Sequence, residues 1–230
     1  MGDAVSMTFA PRRGLFTRMV RGVLGWVGLE IYRARGGVFI IPKPHAGHSA
    51  APTKVPSPCR LHLGCGNVRL AGWLNVDIVS TPATDLVADI THLEAFADRS
   101  VDEIRMSAVY EHLFRQQRLS ALREWHRVLI PGGRLYIEWI PDFDVYAREY
   151  LAQGTNTGNP RFDLEQVYHC THGNPVSWNA PEQLHKDLFT RASVERELRD
   201  AGFDIERIEN ACYRDEPLAL NLNVTAHRRS

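Results

Sequence analysis

Apolar positions along the chain change their period several times, and each change marks an element. From Arg12 to Arg35, Leu15, Phe16, Met19, Val20, Val23, Leu24, Val27 and Ile31 recur at steps of three and four. That spacing predicts one face of a helix. Gly14, Gly22, Gly25 and Gly28 weaken it by up to about 1 kcal/mol each relative to alanine. After the apolar run Val38-Phe39-Ile40-Ile41, residues 42–58 lose all periodicity and hold five prolines (Pro42, Pro44, Pro52, Pro56, Pro58), which reads as a linker. The expected organisation is therefore an extension over 1–58 and a compact domain over 59–230.

Within that domain, short apolar runs predict strands at Arg60–Leu63, Leu74–Asp77, Leu86–Ile90 and Val101–Val109. Leu119, Leu122, Trp125, Val128 and Leu129 share a face of a helix over Arg115–Leu129, which Pro131-Gly132-Gly133 ends. Arg134–Ile140 is β-branched and aromatic, as strands are. Residues 141–187 look irregular. Thr190 is placed to cap a helix running to Ala201, with Val194, Leu198 and Ala201 on one face and Gly202 after it. Ile205–Cys212 and Leu220–His227 are the last two strands. Helices alternating with strands imply an α/β fold with a largely parallel sheet, and the closing strand pair implies one antiparallel member near an edge.

Charge refines this picture. The whole chain has a formal net charge of zero, but residues 1–58 carry eight Lys or Arg against two acids, and the rest is correspondingly acidic. A basic amphipathic helix at 12–35 suits either an anionic membrane surface or packing on protein. No run of 18 apolar residues predicts a membrane span, and no signal peptide is recognisable. Four scattered cysteines (Cys59, Cys65, Cys170, Cys212) suggest a reducing compartment, hence a cytoplasmic protein, with peripheral membrane contact through 12–35 as an option.

The chemistry gathers at Leu61-His62-Leu63-Gly64-Cys65-Gly66-Asn67. A strand, a Gly-x-Gly turn and an acid, Asp77, at the tip of the next strand make a nucleotide pocket. Glycine lets backbone N–H groups approach a ligand, and the acid can accept two hydrogen bonds from a ribose diol. The dinucleotide fingerprint is incomplete: no third glycine follows at the right place, and Asp77 comes 11 residues after Gly66 rather than about 20. No Gly-Lys-Ser or Gly-Lys-Thr supplies a phosphate-binding loop. A ligand with a ribose, an adenine and no phosphate fits better.

These motifs resemble those of class I S-adenosylmethionine-dependent methyltransferases. The likeness rests on the glycine turn, Asn75-Val76-Asp77-Ile78, Ala88-Asp89-Ile90, Ser107-Ala108-Val109-Tyr110-Glu111-His112-Leu113 and His126-Arg127-Val128-Leu129-Ile130-Pro131-Gly132-Gly133. His185-Lys186-x-x-Phe189-Thr190 and Leu198-x-x-Ala201-Gly202-Phe203 extend it over about residues 59–227. It implies a Rossmann-like fold and S-adenosylmethionine as cofactor. Gly64, Cys65, Gly66 and Asn67 would meet its methionine part, and Asp77 its ribose. Asp89 and Ile90 would flank the adenine, unless Asp89 caps its own turn instead. Ser107 and Glu111 would complete the cofactor site, with Glu111 either holding the cofactor's amino group or orienting His112. The loop Val68–Trp73, where a helix is usual, resembles a compact bacterial subgroup associated with sugar polymers.

In-line methyl transfer asks chiefly for alignment, and a hydroxyl acceptor also gains from a base such as histidine. His112, past the end of the Val101–Val109 strand, and His185, in the irregular insert, are the candidate catalytic residues. His169, Cys170 and His172 match no standard metal spacing, so no metal site is expected. Asp142 and Asp144 either contact substrate hydroxyls or hold a cation. The expected function is O-methylation of a small or sugar-containing acceptor; the rival is a non-catalytic cofactor-binding scaffold. Nucleic acid is disfavoured, because the domain is acidic and no Asn-Pro-Pro-Tyr-like motif is present.

Overall fold

A computed structural model describes residues 29–34, 37–42, 57–152, 162–173, 183–214 and 217–230. The chain divides into two units, Met1–Ala46 and Gly47–Ser230. In the first, Leu29–Ala34 (β1) and Gly37–Pro42 (β2) form an antiparallel hairpin in which Ala34 faces Gly37. The helix expected to reach Arg35 therefore does not include Leu29–Ala34. The sequence reason is local: Ile31-Tyr32 and Val38-Phe39-Ile40-Ile41 favour strand. The periodic stretch at 12–28 lies outside the described residues.

The second unit holds a seven-stranded sheet. Its strands are Arg60–Leu63 (β3), Leu74–Asp77 (β4), Leu86–Val87 (β5), Val101–Ser107 (β6), Leu129–Pro141 (β7), Phe203–Ala211 (β8) and Asn221–Arg228 (β9), in the order β5-β4-β3-β6-β7-β9-β8. The pairings from β5 to β7 are parallel, and β9 runs antiparallel to both neighbours. The single antiparallel strand thus lies beside the edge, as expected. Continuous apolar runs fit central strands buried on both faces: Leu61, Leu63, Val76, Ile104, Met106, Leu135 and Ile137 are fully buried. The run at Leu86–Ile90 pairs only through Val87. The β7 strand begins at Leu129, six residues before the apolar pattern resumes, and absorbs Pro131-Gly132-Gly133 at a register shift against β6.

Helices Arg115–Val128 (α1) and Arg191–Asp200 (α4) lie close to their expected positions. Thr190 caps α4 by accepting from Ser193 N–H. The buried face of α1 differs from the expected one. Leu119 is exposed, and Arg118 is buried in its place beside Ala121, Leu122, Trp125 and Val128. The Arg118 guanidinium reaches both Glu197 oxygens (3.1 and 3.0 Å), Asp187 (2.8 Å) and the Leu113 carbonyl (2.9 Å). Paired acids and a carbonyl satisfy a buried charge that an apolar pattern cannot anticipate.

The irregular insert contains two helices, Phe143–Ala152 (α2) and Leu164–His172 (α3). Asp163 caps α3 through Gln166 N–H, yet no α3 residue is buried, so the helix has no apolar stripe to announce it. Between β3 and β4 there is the expected loop rather than a helix. Asn75, fully buried in β4, holds it: its Oδ1 accepts from Leu70 N–H (2.9 Å) and faces His62 Nδ1 (3.0 Å). Its Nδ2 donates to the carbonyls of Leu70 and Trp73 and to Asp85. Replacing Asn75 by alanine orphans several of these groups, and urea unfolding should show a loss of about 2–3 kcal/mol.

Candidate functional site

The site forms where the parallel strands end. Gly64 leaves β3 with φ +67°, and a Cβ there would lie 2.5 Å from a Val109 methyl. Only glycine lets the turn pack so closely against the chain leaving β6. Gly66 follows with φ +53°, and no atom lies within 4 Å of where its Cβ would stand. Beside one glycine the space is filled by protein; beside the other it is open to a ligand.

Gly66 N–H donates to Asp77 Oδ2 at 2.8 Å, and Val79 N–H donates to Oδ1 at 2.9 Å. Asp77 is thereby fixed at the tip of β4. A carboxylate offers about four acceptor positions, so two remain for a diol. Ile78 and Val79, next in sequence, are exposed apolar side chains against which an adenine could stack. Thr81 Oγ1 donates to the Gly66 carbonyl at 2.6 Å and steadies the turn from the other side. Cys65 is buried, and burial raises its thiol pKa, so it is a small packing residue rather than a nucleophile. Asn67 is exposed at the turn's tip.

Other expected cofactor residues have partners of their own. Asp89 Oδ1 accepts from Thr91 N–H and Thr91 Oγ1 at 2.8 and 2.7 Å, so it does cap its turn. Ile90 is buried in the core, and its carbonyl accepts from Trp125 Nε1. Ser107 Oγ donates to Glu138, which also binds Arg105. Asp142 is buried and accepts from Asp144 N–H and Asn210 Nδ2, tying β7 to β8.

Sequence-distant residues meet past the tip of β6. Tyr110–His112 forms one 3-10 turn. A carboxylate oxygen of Glu111 and one nitrogen each of His112 and His185 all lie within 4.8 Å of one another. The two rings meet edge to face with centroids 5.1 Å apart. Lys186 N–H donates to the Glu111 carbonyl at 2.8 Å, stitching the two segments together. The Arg118 cluster braces both: Tyr110 Oη donates to Glu197 (2.7 Å), and Arg118 holds Asp187. Sequence reasoning missed Arg118, Glu197 and Asn75 as supports of the site. Asn75, a polar residue inside an apolar strand, was the one available signal.

Glu111 is 2% exposed, and its Oε2 has no hydrogen-bond partner. Burial pushes its pKa up to about 8. Burial also lowers His185, to about 4, so that imidazole is neutral at pH 7. The group of Glu111, His112 and His185 is the one such triple among the described residues.

Residues 61–137 match the family model of a methyltransferase domain. No curated protein matches the sequence. Among solved structures, the chain is similar to the Burkholderia thailandensis 1,6-didemethyltoxoflavin-N1-methyltransferase, determined with 1,6-didemethyltoxoflavin and S-adenosylhomocysteine bound (17% identity, 75% of this chain, 71% of that one, TM-score 0.51). It is similar also to a SAM-dependent methyltransferase of Thermotoga maritima (16% identity, 76% and 84% coverage, TM-score 0.50). At these identities the likeness is one of fold.

The Glu111 shift has a consequence for stability. In the unfolded chain the group releases its proton near pH 4.5, in the fold near 8. The native state therefore holds the extra proton between those values, and stability falls as pH rises through the window. His185, lowered from 6.5 to about 4, slopes the other way, but its contribution is complete above pH 6.5. Urea unfolding in the presence of a chelator should show the wild type losing about 2 kcal/mol relative to Glu111→Gln between pH 6.5 and 8.

Proposed function

We propose that the chain is an S-adenosylmethionine-dependent methyltransferase, in keeping with the methyltransferase-domain match over residues 61–137, and that it methylates a hydroxyl of a small or sugar-containing acceptor at the Glu111–His112–His185 group. The observation that carries this reading is the packing of Gly64 against Val109, which comes two residues before Glu111 and so brings the glycine turn and the start of the Glu111–His112 segment to the same end of the sheet.

Each residue has a part. The open side of Gly66 admits the ligand, and Asp77, held by two backbone N–H groups, accepts from its ribose hydroxyls. When bound, S-adenosylmethionine supplies a methyl already activated on a sulfonium. The protein's task is then alignment and removal of the acceptor's proton. His112 and His185 each place Nδ1 against a backbone carbonyl, of Leu184 at 3.3 Å and of Cys170 at 2.9 Å. A carbonyl only accepts, so Nδ1 carries the proton and Nε2 keeps its lone pair. His112 Nε2 can take the hydroxyl proton, while His185, made a weak base by burial, can accept a hydrogen bond from the acceptor. The sugar-containing class is favoured by the helix-free connection between β3 and β4, a likeness at the level of sequence.

Release of S-adenosylhomocysteine from hydroxylated acceptors, sugars included, tests the reaction. Asp77→Ala should weaken S-adenosylmethionine binding by about a hundredfold, the worth of two hydrogen bonds to a charged acceptor, in titration calorimetry. Unchanged affinity would remove Asp77 from the cofactor site. Turnover confined to amine acceptors would exclude the O-directed reading.

A further inference from the structure

We infer that Glu111, His112 and His185 form a binding site for one divalent transition-metal ion of the zinc class. The inference deepens the reading above and rests on it for the ion's role, though not for its binding.

Three observations meet at this point. The first is the donor set. One carboxylate oxygen and two imidazole nitrogens lie within 4.8 Å of one another, and tetrahedral zinc ligands stand about 3.4 Å apart, so small side-chain rotations close the shell. Two imidazoles and one carboxylate suit zinc, iron or nickel; magnesium and calcium ask for oxygen ligands.

The second observation is the buried carboxylate. Glu111 is almost wholly enclosed, and its Oε2 has no hydrogen-bond partner. His112 Nε2 stands 4.0 Å from its Oε1. An enclosed carboxylate oxygen without a partner is costly, and a cation would satisfy it.

The third is the surroundings of the imidazoles. Both point Nδ1 at a backbone carbonyl. Metal-bound histidines are oriented in this way, with the second nitrogen tied to a carbonyl so that the first faces the ion. The backbone fixes these positions further. Lys186 N–H binds the Glu111 carbonyl, His185 N–H binds the His172 carbonyl, and Gly173, at φ +80°, lets the chain pass within contact of the His185 ring. The backbone that carries the ligands is thus held before any ion arrives.

With three protein ligands, the fourth position remains for the acceptor oxygen. The ion would acidify that hydroxyl as zinc acidifies bound water. The imidazoles would then act as ligands, and the hydroxyl proton would leave to solvent.

The test uses the full chain, stripped with a chelator and titrated with Co²⁺ in the absence of S-adenosylmethionine, then with Zn²⁺ against a chromophoric chelator. Expected are one ion per chain, visible d–d absorption and no thiolate-to-cobalt band. Glu111→Gln and His185→Gln should each weaken binding by about a hundredfold, and His169→Ala should leave it unchanged. Glu111→Gln is nearly isosteric and serves if His185→Gln fails to fold. Equal affinity in wild type and Glu111→Gln, a thiolate band, or no stoichiometric binding would overturn the inference. Calorimetry with S-adenosylmethionine on the same stripped protein separates the two claims. Cofactor binding without cobalt binding sinks the metal site alone, whereas loss of cofactor binding sinks the pocket assignment.

Discussion

The hydrogen bond from Gly66 N–H to the Asp77 carboxylate joins the exit of β3 to the tip of β4, and the rest of the site is arranged around it. It needs a turn with positive φ, which Gly64 and Gly66 supply, and an acid that sits level with that turn. The level is set by register: Leu63 pairs with Val76, so Asp77 is one residue beyond the strand pair, just where Gly66 turns back. The register in turn depends on the short loop between the strands. Buried Asn75 fixes that loop by taking over the backbone groups that a helix would otherwise have satisfied. A polar side chain in the middle of an apolar strand thus helps to set where Asp77 stands against the glycine turn.

A second constraint organises the other half. Arg118, buried on α1, binds Glu197 from α4 and Asp187 from the segment leading into it. The same cluster anchors Tyr110. Glu111 and His112 follow Tyr110 directly, and His185 lies two residues before Asp187, so one ion network holds both sides of the triple. Replacing its charge by an apolar residue would leave Glu197 with the Tyr110 hydroxyl in place of its cationic partner, a costly way to break such a cluster. The positions of Glu111, His112 and His185 are therefore set by residues outside the group itself.

These origins explain what could be read from sequence. The β3, β4 and β6 strands, α1 and α4 were legible because each buries a continuous or periodic apolar set. The glycine turn and Asp77 were legible because their chemistry is local: the residues that act together lie 11 apart on adjacent strands. What was hidden depended on distant pairing. Arg118 looked like solvent-facing charge and Leu119 like core, because the acids that reverse the choice lie about 70 to 80 residues away. Helix α3 was hidden for want of an apolar stripe, and the last turn of the expected N-terminal helix turned out as strand because Val38–Ile41 offered it a partner. His112 and His185 could each be named from sequence, but not their meeting. It arises from a backbone bond between Lys186 and Glu111 that no side-chain pattern encodes.

The central claim is that the glycine turn and the Glu111–His112–His185 group face one another across a single cofactor. A crystal structure with S-adenosylhomocysteine bound tests it most directly. The account predicts ribose hydroxyls on Asp77, the methionine part along Gly64–Asn67, and the sulfur turned toward His112 and His185. A ribose bound away from Asp77, or a sulfur turned away from both histidines, would contradict it.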